Sequence, residues 1–367
     1  MGVYMYVKSL LLKNFRNYDE LNLNFANGTN VFIGDNAQGK TNVLEALYYA
    51  SIGKSHRTNK DKELIRWNEN EAYIKVDIGK IRLDKKIEIK IFKEGKKGIN
   101  INSIKINKLS ELMGILNIVM FSPEDLNIIK DSPSYRRKFM DIELCKLDGK
   151  YYYNLLAYKK VLNERNSVLK KFSSNTDILD IYDYKLSEYG EYIVKKRLQY
   201  IEKLNEKGKI IHKEITLDKE VIEFQYLMQL KGNDIKNELY DSLTKNRKKD
   251  FERKTTSVGP HRDDFLVLIN DMDVKTYGSQ GQQRTSVLSI KFASLHIIKE
   301  LTGEYPLLLL DDVLSELDTK RQEYILNSIS DVQTLITCTG ISNIEKHLNK
   351  TNSVKIFKVS SGKITKL

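Results

Sequence analysis

The sequence has little of what small secreted or metal-stapled proteins depend on. Among 367 residues there are two cysteines, Cys145 and Cys338, and they lie far apart without a CxxC partner. We therefore expect neither a disulfide framework nor a thiolate zinc site, and a reducing cytosol suits the chain. With 41% hydrophobic residues, a chain of this length can bury one large core or two moderate ones without cross-links.

Long apolar runs are also missing. Residues 1–12 mix Lys8 into a short apolar stretch and lead into charged sequence, which predicts neither a secretory signal nor a membrane span. The run from Pro306 to Leu310 is far shorter than the roughly 20 residues that a membrane helix needs. We therefore expect a soluble, cytoplasmic protein with no membrane partner.

The charge balance is strongly positive, with a formal net charge of +12. This excess favours a polyanionic partner, although a lysine-rich composition also improves solubility. Charge alone does not choose between DNA and RNA.

Hydrophobic periodicity changes twice along the chain. From about Pro123 the spacing is helical, without the sustained heptads of a coiled-coil arm, and near Val221 the period shortens again. On either side of this part, alternating or continuous short apolar runs predict strands. The predicted strands include 21–25, 31–33, 72–78, 86–92, 265–269, 307–310 and 334–337. The last two have the continuous apolar character of a buried parallel sheet.

A phosphate-binding loop is predicted between the strand at 31–33 and a helix at 42–50. Its sequence, Gly34-Asp35-Asn36-Ala37-Gln38-Gly39-Lys40-Thr41, matches GxxxxGK[ST]. The two glycines allow backbone N–H groups to surround phosphate oxygens, and the helix N-terminus adds partial positive charge. We expect Lys40 to reach the β- and γ-phosphates of ATP and the Thr41 hydroxyl to ligate Mg²⁺.

A buried strand that ends in two carboxylates predicts the second half of a nucleotide site. Pro306-Leu-Leu-Leu-Leu310-Asp311-Asp312 has the form of a Walker B strand. Asp311 is the candidate Mg²⁺ ligand, and Asp312 is the candidate to polarise the attacking water. Together with Lys40 they are the candidate catalytic residues. The competing interpretation is a strand that ends in two turn-forming Asp residues.

The next residues favour the Walker B interpretation. Ser315-Glu-Leu-Asp318 has the form of the D-loop of ABC-type ATPases. Asp318 also suits the N-cap position of a helix over 319–329.

Upstream of these motifs, Ser279-Gln280-Gly281-Gln282-Gln283-Arg284 precedes an apolar-periodic helix and resembles the ABC signature. Ser279, Gly281 and Gln282 are therefore candidate nucleotide contacts. A serine turn that caps a helix has the same sequence, so the segment alone leaves both interpretations open. The order of phosphate loop, signature, Walker B strand and D-loop is that of ABC-type ATPases. In that class the signature of one head meets the γ-phosphate held by another, here through Ser279.

Further stretches resemble the RecF family of SMC-like ABC ATPases. Residues 41–278 separate Lys40 from Ser279, a spacing that fits solute-transporter ATPases poorly. The resemblance runs from Val7 to about Thr339. It is carried by Leu11-Leu12-Lys13-Asn14-Phe15-Arg16-Asn17-Tyr18, Gly53-Lys54-Ser55-His56-Arg57-Thr58, Phe121-Ser122-Pro123-Glu124-Asp125-Leu126, Ser132-Pro133-Ser134-Tyr135-Arg136-Arg137 and Gly259-Pro260-His261-Arg262-Asp263-Asp264-Phe265.

The resemblance implies an α/β fold, an ABC-type P-loop ATPase head formed by both chain ends. Residues 1–122 and 221–367 would form the two parts of the head, and 123–220 an inserted helical lobe. It also implies a weak, DNA-stimulated ATPase that forms an ATP-dependent homodimer and binds single- and double-stranded DNA at gaps or junctions. The dimer would help to load recombinase with loader proteins of the RecO/RecR type, in the nucleoid. The alternatives are another SMC-like repair ATPase with a nuclease partner, and a solute-pump ATPase.

The sequence departs from many ABC ATPases at two positions. No glutamine stands at the Q-loop near Phe121, where Ser122 or Glu124 is the candidate. No switch histidine follows the strand at 334–338, where Thr339 is the candidate and an ordinary strand-end threonine is the alternative. Arg57 is a candidate nucleotide contact or, alternatively, a surface ion-pair residue. For His261 beside Asp263, structural hydrogen bonding is the prediction.

Overall fold

Both ends of the chain contribute to one compact unit, and its middle forms another. The computed structural model describes residues 5–171, 176–230, 232–340 and 353–367. Contacts divide the chain into a first unit, Met1–Asp125 with Ser294–Leu367, and a second unit, Leu126–Ala293.

The first unit begins with strands in which alternate side chains are buried, as in β1, where Val7, Leu10 and Leu12 face the core. Its elements up to residue 125 are β1 (Tyr6–Phe15), β2 (Tyr18–Asn24), β3 (Thr29–Ile33), α1 (Lys40–Ile52), β4 (Glu71–Gly79), β5 (Lys85–Phe92), β6 (Gly98–Ile101), β7 (Ile104–Lys105) and β8 (Ile118–Phe121). Six of these strands form an antiparallel sheet in the order β2-β1-β4-β5-β6-β7.

The second unit contains the long helices that the periodicity predicted. Its elements are α2 (Asn127–Lys130), α3 (Pro133–Leu147), α4 (Gly149–Lys170), α5 (Thr176–Thr216), β9 (Ile222–Leu227), α6 (Ile235–Lys245), α7 (Arg247–Arg253), β10 (Asp264–Ile269), β11 (Met272–Asp273), α8 (Val274–Tyr277) and most of α9 (Gln280–Thr302). Helix α5 has 41 residues, which gives a length of about 60 Å at the usual rise. Strands β9 to β11 form a small antiparallel sheet.

The last part of the chain completes the first unit. It consists of β12 (Leu307–Asp311), α10 (Thr319–Ser328), β13 (Thr334–Cys338), β14 (Val354–Ser360) and β15 (Lys363–Lys366). With β3 and β8 these strands form a second six-stranded sheet in the order β15-β14-β3-β13-β12-β8. All neighbours except β14 and β15 are parallel. The predicted buried parallel strands at 307–310 and 334–337 are confirmed.

One core serves both six-stranded sheets. Phe15 and Ile74 from the antiparallel sheet, Leu47 from α1, and Leu309 and Leu335 from the parallel sheet belong to a single cluster of buried apolar side chains. Helix α1 is buried along most of its length because it contributes to this cluster. The start of α1 is therefore held firmly beside the end of β3.

The division into units differs from the predicted boundaries. Residues 221–293 were expected in the head, but they pack with 126–220 in the second unit. Strand β9 packs against the long helix α5 and pairs with β10, so this stretch shares its core with the helices. The strand periodicity after Val221 was correct, but periodicity does not show which core a strand joins.

A fully buried ion cluster lies in the second unit. The Arg165 guanidinium donates to the carboxylates of Asp183 at 2.6 Å and Asp250 at 2.8 Å, and to the Thr256 hydroxyl at 2.9 Å. The side chains of Arg165, Asp183 and Asp250 are all 0% exposed. The guanidinium therefore connects α4, α5 and α7.

Arg165→Met should destabilise the protein strongly, because two buried carboxylates would lose their shared counter-charge. We expect the free energy of unfolding in urea to fall by about 3 kcal/mol, the usual cost of breaking a buried pair. Arg253→Met, an exposed arginine on α7, is the matched control and should change stability by less than about 0.5 kcal/mol. Equal stability of the two variants would contradict a structural role for the cluster.

Candidate functional site

The predicted phosphate loop connects the end of β3 to the start of α1. Its two glycines are required for different reasons. A β-carbon on Gly34 would lie 2.2 Å from the carbonyl oxygen of Val359 in β14, so this position has no room for a side chain. Gly39 has φ +115°, in the region that favours glycine, and Ala37 also has a positive φ of 63°. Asp35, Asn36 and Ala37 are exposed at the tip of the loop.

Side chains and backbone from distant parts of the chain hold the loop in this shape. The carbonyl of Gln38 accepts from Asn17 Nδ2 at 3.0 Å and from the Gly362 N–H at 3.2 Å. The Ser361 N–H donates to the Gln38 side chain at 2.5 Å, and the Tyr18 hydroxyl donates to the Gly39 carbonyl at 3.0 Å. The loop is thus anchored by the β1–β2 turn and by the β14–β15 turn.

Lys40 is the first residue of α1 and is only 4% exposed. Its ammonium donates to the loop carbonyls of Gly34 at 2.6 Å and Asp35 at 3.1 Å, so the charge lies inside the loop. Gly39 at the N-cap carries no side chain, and in the described part of the chain no side chain caps this helix. A 13-residue helix therefore presents its N-terminal partial positive charge at the loop.

Thr41 and Asp311 meet although 270 positions separate them. The Thr41 hydroxyl donates to Asp311 Oδ1 at 2.8 Å. Burial raises the pKa of the Asp311 carboxyl, and the hydroxyls of Thr41 and Thr337 act in the opposite direction. A threonine hydroxyl and one carboxylate are the hard oxygen donors that Mg²⁺ takes when phosphates supply further ligands. The pair therefore fits the predicted metal position, and among the described residues no group of three or more acidic, His or Cys side chains offers another.

Asp312 follows Asp311 with an unusual backbone. Its φ is +53°, in the left-handed region that few residues other than glycine adopt. Its N–H donates to Thr337 Oγ1 at 2.9 Å, and its carbonyl accepts from the Ser315 hydroxyl at 2.7 Å. Sequence reasoning did not identify Thr337, because only the register of β13 beside β12 places it opposite Asp311.

The D-loop motif leads directly into α10. The Asp318 side chain accepts from the backbone N–H of Arg321 at 3.0 Å, so the predicted N-cap is confirmed. The helix begins at Thr319 as predicted and ends at Ser328.

A buried glutamate organises the flank of α1. Glu45 is 0% exposed and accepts from Arg16, at 2.6 and 2.9 Å, and from Ser55 and Arg57 at 2.5 and 3.2 Å. Burial opposes ionisation of Glu45, but these hydrogen bonds and charges outweigh it, and its pKa lies below the ordinary value. Arg57 also donates to Asn42 at 3.0 Å. The side chain of the candidate nucleotide contact Arg57 therefore packs against the first turn of α1, the helix that follows the phosphate loop.

The predicted signature segment lies in the second unit. The Ser279 hydroxyl accepts from the Gln282 N–H at 3.2 Å, and Gln282 Oε1 accepts from the Ser279 N–H at 2.9 Å. This reciprocal pair is a capping box at the start of α9. The other end of the Gln282 amide donates to Glu220 at 3.0 Å, and Gly281 lies in the first turn. The predicted helix cap is confirmed, and the signature role of the same residues stays a prediction.

The remaining candidates lie at strand ends or in the second unit. Ser122 follows β8, and its N–H donates to Asp125 at 2.8 Å; Thr339 is exposed after β13.

His261 hydrogen-bonds Tyr158 through Nδ1 at 2.8 Å and the Thr256 carbonyl through Nε2 at 3.1 Å. Burial lowers the pKa of His261 to about 4, so the imidazole is neutral at pH 7. The predicted structural role of His261 is confirmed.

Among the described residues, no helix combines the length and the apolar character needed to span a bilayer.

Comparison with known proteins gives a consistent result. Residues 6–365 match the family model of the RecF/RecN/SMC N terminal domain. The chain is 63% identical over 361 residues, 98% of its length and 99% of the relative's, to the DNA replication and repair protein RecF of Clostridium novyi. It is 61% identical to the protein of the same name from Clostridium tetani, covering 98% of this chain and 99% of that one.

Solved structures agree. A recombination mediator protein RecF bound to ATP, described as part of the RecFOR pathway, superposes with a TM-score of 0.91 at 40% identity and covers all of both chains. An Smc head domain from Pyrococcus furiosus matches at a TM-score of 0.58 and 16% identity over 99% of this chain and 96% of that one, which shows a shared fold. The predicted ABC-type α/β head is thereby confirmed, and the chain belongs to the RecF family of SMC-like ATPases.

Proposed function

We propose that the chain is an ATP-dependent DNA-binding protein of recombinational repair and replication restart. ATP closes two heads into a homodimer that grips duplex or gapped DNA, the closed state helps to load recombinase onto single-stranded DNA, and hydrolysis resets it. The names of its relatives, DNA replication and repair protein RecF, and the ATP-bound RecF neighbour support this proposal.

The observation that carries the nucleotide part of the proposal is the contact between Thr41 and Asp311. It joins the phosphate-loop motif to the Walker B motif across 270 residues, at the carboxyl ends of two parallel strands. That edge of an open parallel sheet is where such folds bind ligands.

The loop residues have separate roles in this proposal. Gly34, Asp35, Asn36, Ala37, Gln38 and Gly39 surround the phosphates with backbone N–H groups. Lys40 exchanges its two carbonyl partners for the β- and γ-phosphates, because an ionised acceptor forms the stronger hydrogen bond. Thr41 and Asp311 hold Mg²⁺, which supplies charge neutralisation at the phosphate oxygens.

Asp312 polarises the attacking water as general base, a role that ABC ATPases generally give to the longer glutamate. Ser279, Gly281 and Gln282 would act in trans, because they lie at the N-terminus of α9, whose partial positive charge suits a γ-phosphate bound by a second copy. Each active site then needs both protomers.

The DNA part of the proposal is supported by the net charge of +12. Phosphate contacts alone give binding that is strong at low salt and indifferent to sequence. Loader proteins of the RecO/RecR type are the proposed partners, in keeping with the pathway named for the structural neighbour. We place the protein in the cytoplasm, at the nucleoid. We propose that residues 221–367 act together with 1–122 as the functional head, because the signature segment lies within them, although 221–293 pack with the second unit; residues 123–220 form the inserted lobe.

Lys40→Ala should abolish productive ATP binding, because the variant lacks the ammonium opposite the β- and γ-phosphates. We expect Kd for ATP to rise by about tenfold or more and phosphate release to become undetectable. Lys54→Ala, an exposed lysine after α1, makes the same charge change and should leave both unchanged. Normal hydrolysis by Lys40→Ala would rule out this nucleotide site.

Mixing two inactive variants tests whether the site is shared. Ser279→Arg blocks the contact made in trans, and Lys40→Ala blocks the loop. In an equal mixture half of the dimers are mixed and each holds one complete site, so ATPase should recover to about one quarter of the wild-type rate. Lys40→Ala mixed with Asp311→Asn should recover nothing, because both changes lie in the same half-site. Equal recovery in the two mixtures, or none in either, would argue against composite sites.

Asp312→Asn should bind ATP and persist as the closed dimer, because it keeps the strand but lacks the base. By linkage, ATP and DNA should tighten each other's binding to this variant by the same factor. Log affinity for DNA should fall linearly with log salt at a slope of about −0.9 per phosphate contact. Fluorescence anisotropy of gapped duplexes and of duplexes with random sequence measures DNA affinity. Titrations with and without ATP, and at several salt concentrations, then give the linkage factor and the salt slope. DNA affinity that is independent of ATP, or strong sequence preference, would refute the switch.

A further inference from the structure

Thr337 occupies a position between the Asp311 carboxylate and the Asp312 backbone that no motif assigns. It lies in β13, the strand between β3 and β12, and its register partner is Asp311. Its side chain is fully buried, at 0% exposure of the residue. Its hydroxyl is therefore shielded from bulk solvent.

The Thr337 hydroxyl makes two hydrogen bonds, and the chemistry of its partners determines which atom donates in each. The Asp312 backbone N–H lies 2.9 Å from Thr337 Oγ1 and can only donate. The hydroxyl therefore accepts from Asp312, and its own proton points to Asp311 Oδ1, also at 2.9 Å. One side chain thus fixes the carboxylate of Asp311 and the backbone of Asp312 at the same time.

Both of these groups need such a restraint. Asp312 has φ +53°, a conformation that costs free energy for a residue with a β-carbon and persists only when its surroundings impose it. Asp311 Oδ1 accepts two hydroxyls, from Thr41 at 2.8 Å and from Thr337, which set the orientation of the carboxylate from both sides. Loss of the Thr337 hydroxyl would leave the Asp312 N–H without this acceptor and one side of the Asp311 carboxylate without its donor.

We propose that Thr337 is a positioning residue for ATP hydrolysis, holding Asp311 toward the metal and Asp312 toward the attacking water through one hydroxyl. This inference rests on the roles of Asp311 and Asp312 proposed above. Thr337 acts through these two residues and does not itself touch the nucleotide.

The test compares variants that differ by the hydroxyl alone. Thr337→Ser keeps it and Thr337→Ala lacks it, a difference of one oxygen atom; Thr337→Val lacks it at nearly constant volume. We expect Val and Ala to lower kcat by about tenfold or more, the usual effect of losing a hydrogen bond to a charged group, and Ser to stay within about threefold of wild type. ATP affinity measured in EDTA should be unchanged, because the phosphate loop is intact.

A second readout does not depend on turnover. Electron paramagnetic resonance of Mn²⁺ titrated into the ATP-bound protein should show weaker metal binding in Thr337→Val and wild-type binding in Thr337→Ser. The matched control is Thr334→Val, on the same strand and equally buried, whose hydroxyl donates to the Val332 carbonyl at 3.0 Å. Its kcat and Mn²⁺ affinity should equal those of wild type.

The outcomes separate this inference from the proposed function. If Asp311→Asn hydrolyses ATP normally, the site assignment itself is wrong. If Asp311→Asn is inactive but Thr337→Val and Thr337→Ala keep wild-type kcat and Mn²⁺ affinity, only the role of Thr337 is refuted. Equal losses in Thr337→Ser and Thr337→Ala, or in Thr334→Val, would also refute it, because they would reflect packing. If Thr337→Val does not fold, the comparison of Thr337→Ser with Thr337→Ala alone tests the role of the hydroxyl.

Discussion

The parallel pairing of β3, β13 and β12 is the constraint on which the candidate nucleotide site depends. Neighbouring strands lie about 4.8 Å apart, so the ends of β3 and β12 are separated by about 10 Å, with β13 between them. Backbone atoms cannot bridge that distance. Side chains must do so, and Thr41 from the first turn of α1 meets Asp311 from the end of β12. The burial of α1 in the shared core keeps Thr41 at that point.

A second consequence of this architecture is that side chains and turns distant in sequence fix the shape of the predicted phosphate loop. The positive φ of Gly39 suits a glycine, whereas that of Ala37 is unfavourable in isolation. The bonds from Asn17, Tyr18 and the β14–β15 turn compensate for it. In the proposed nucleotide-binding role, a loop held by these bonds would lose less conformational entropy on binding.

The sequence predicted those features that depend on local pattern or on a motif. Strand β3, helix α1, the buried strands β12 and β13, and the Asp318 cap all follow from periodicity and residue type, and the structure agrees. The sequence did not reveal what depends on register or on long-range packing. The threonine opposite Asp311 is one of two in its strand, and only pairing with β12 selects it.

Long-range packing explains the other differences. Gln38 was predicted as part of a phosphate cradle, but its contacts with the C-terminal turn are set by the antiparallel pairing of β14 and β15, which no local pattern encodes. Residues 221–293 show strand and helix periodicity that suits either core. Their place in the second unit follows from β9 packing on α5, a contact between elements whose sequences carry no mutual signal.

The signature segment shows that two interpretations of one sequence can describe the same atoms. As a helix cap, Ser279 Oγ accepts from the Gln282 N–H, but a hydroxyl that accepts keeps its own proton as a donor. Capping therefore leaves Ser279 able to donate to a phosphate. Gln282 differs, because its side chain is engaged at both ends, with the Ser279 N–H and with Glu220. A phosphate contact from that amide would cost one of these bonds. Of the two side chains, Ser279 is the one suited to the proposed nucleotide contact, and Gln282 is suited to hold the turn that carries Ser279.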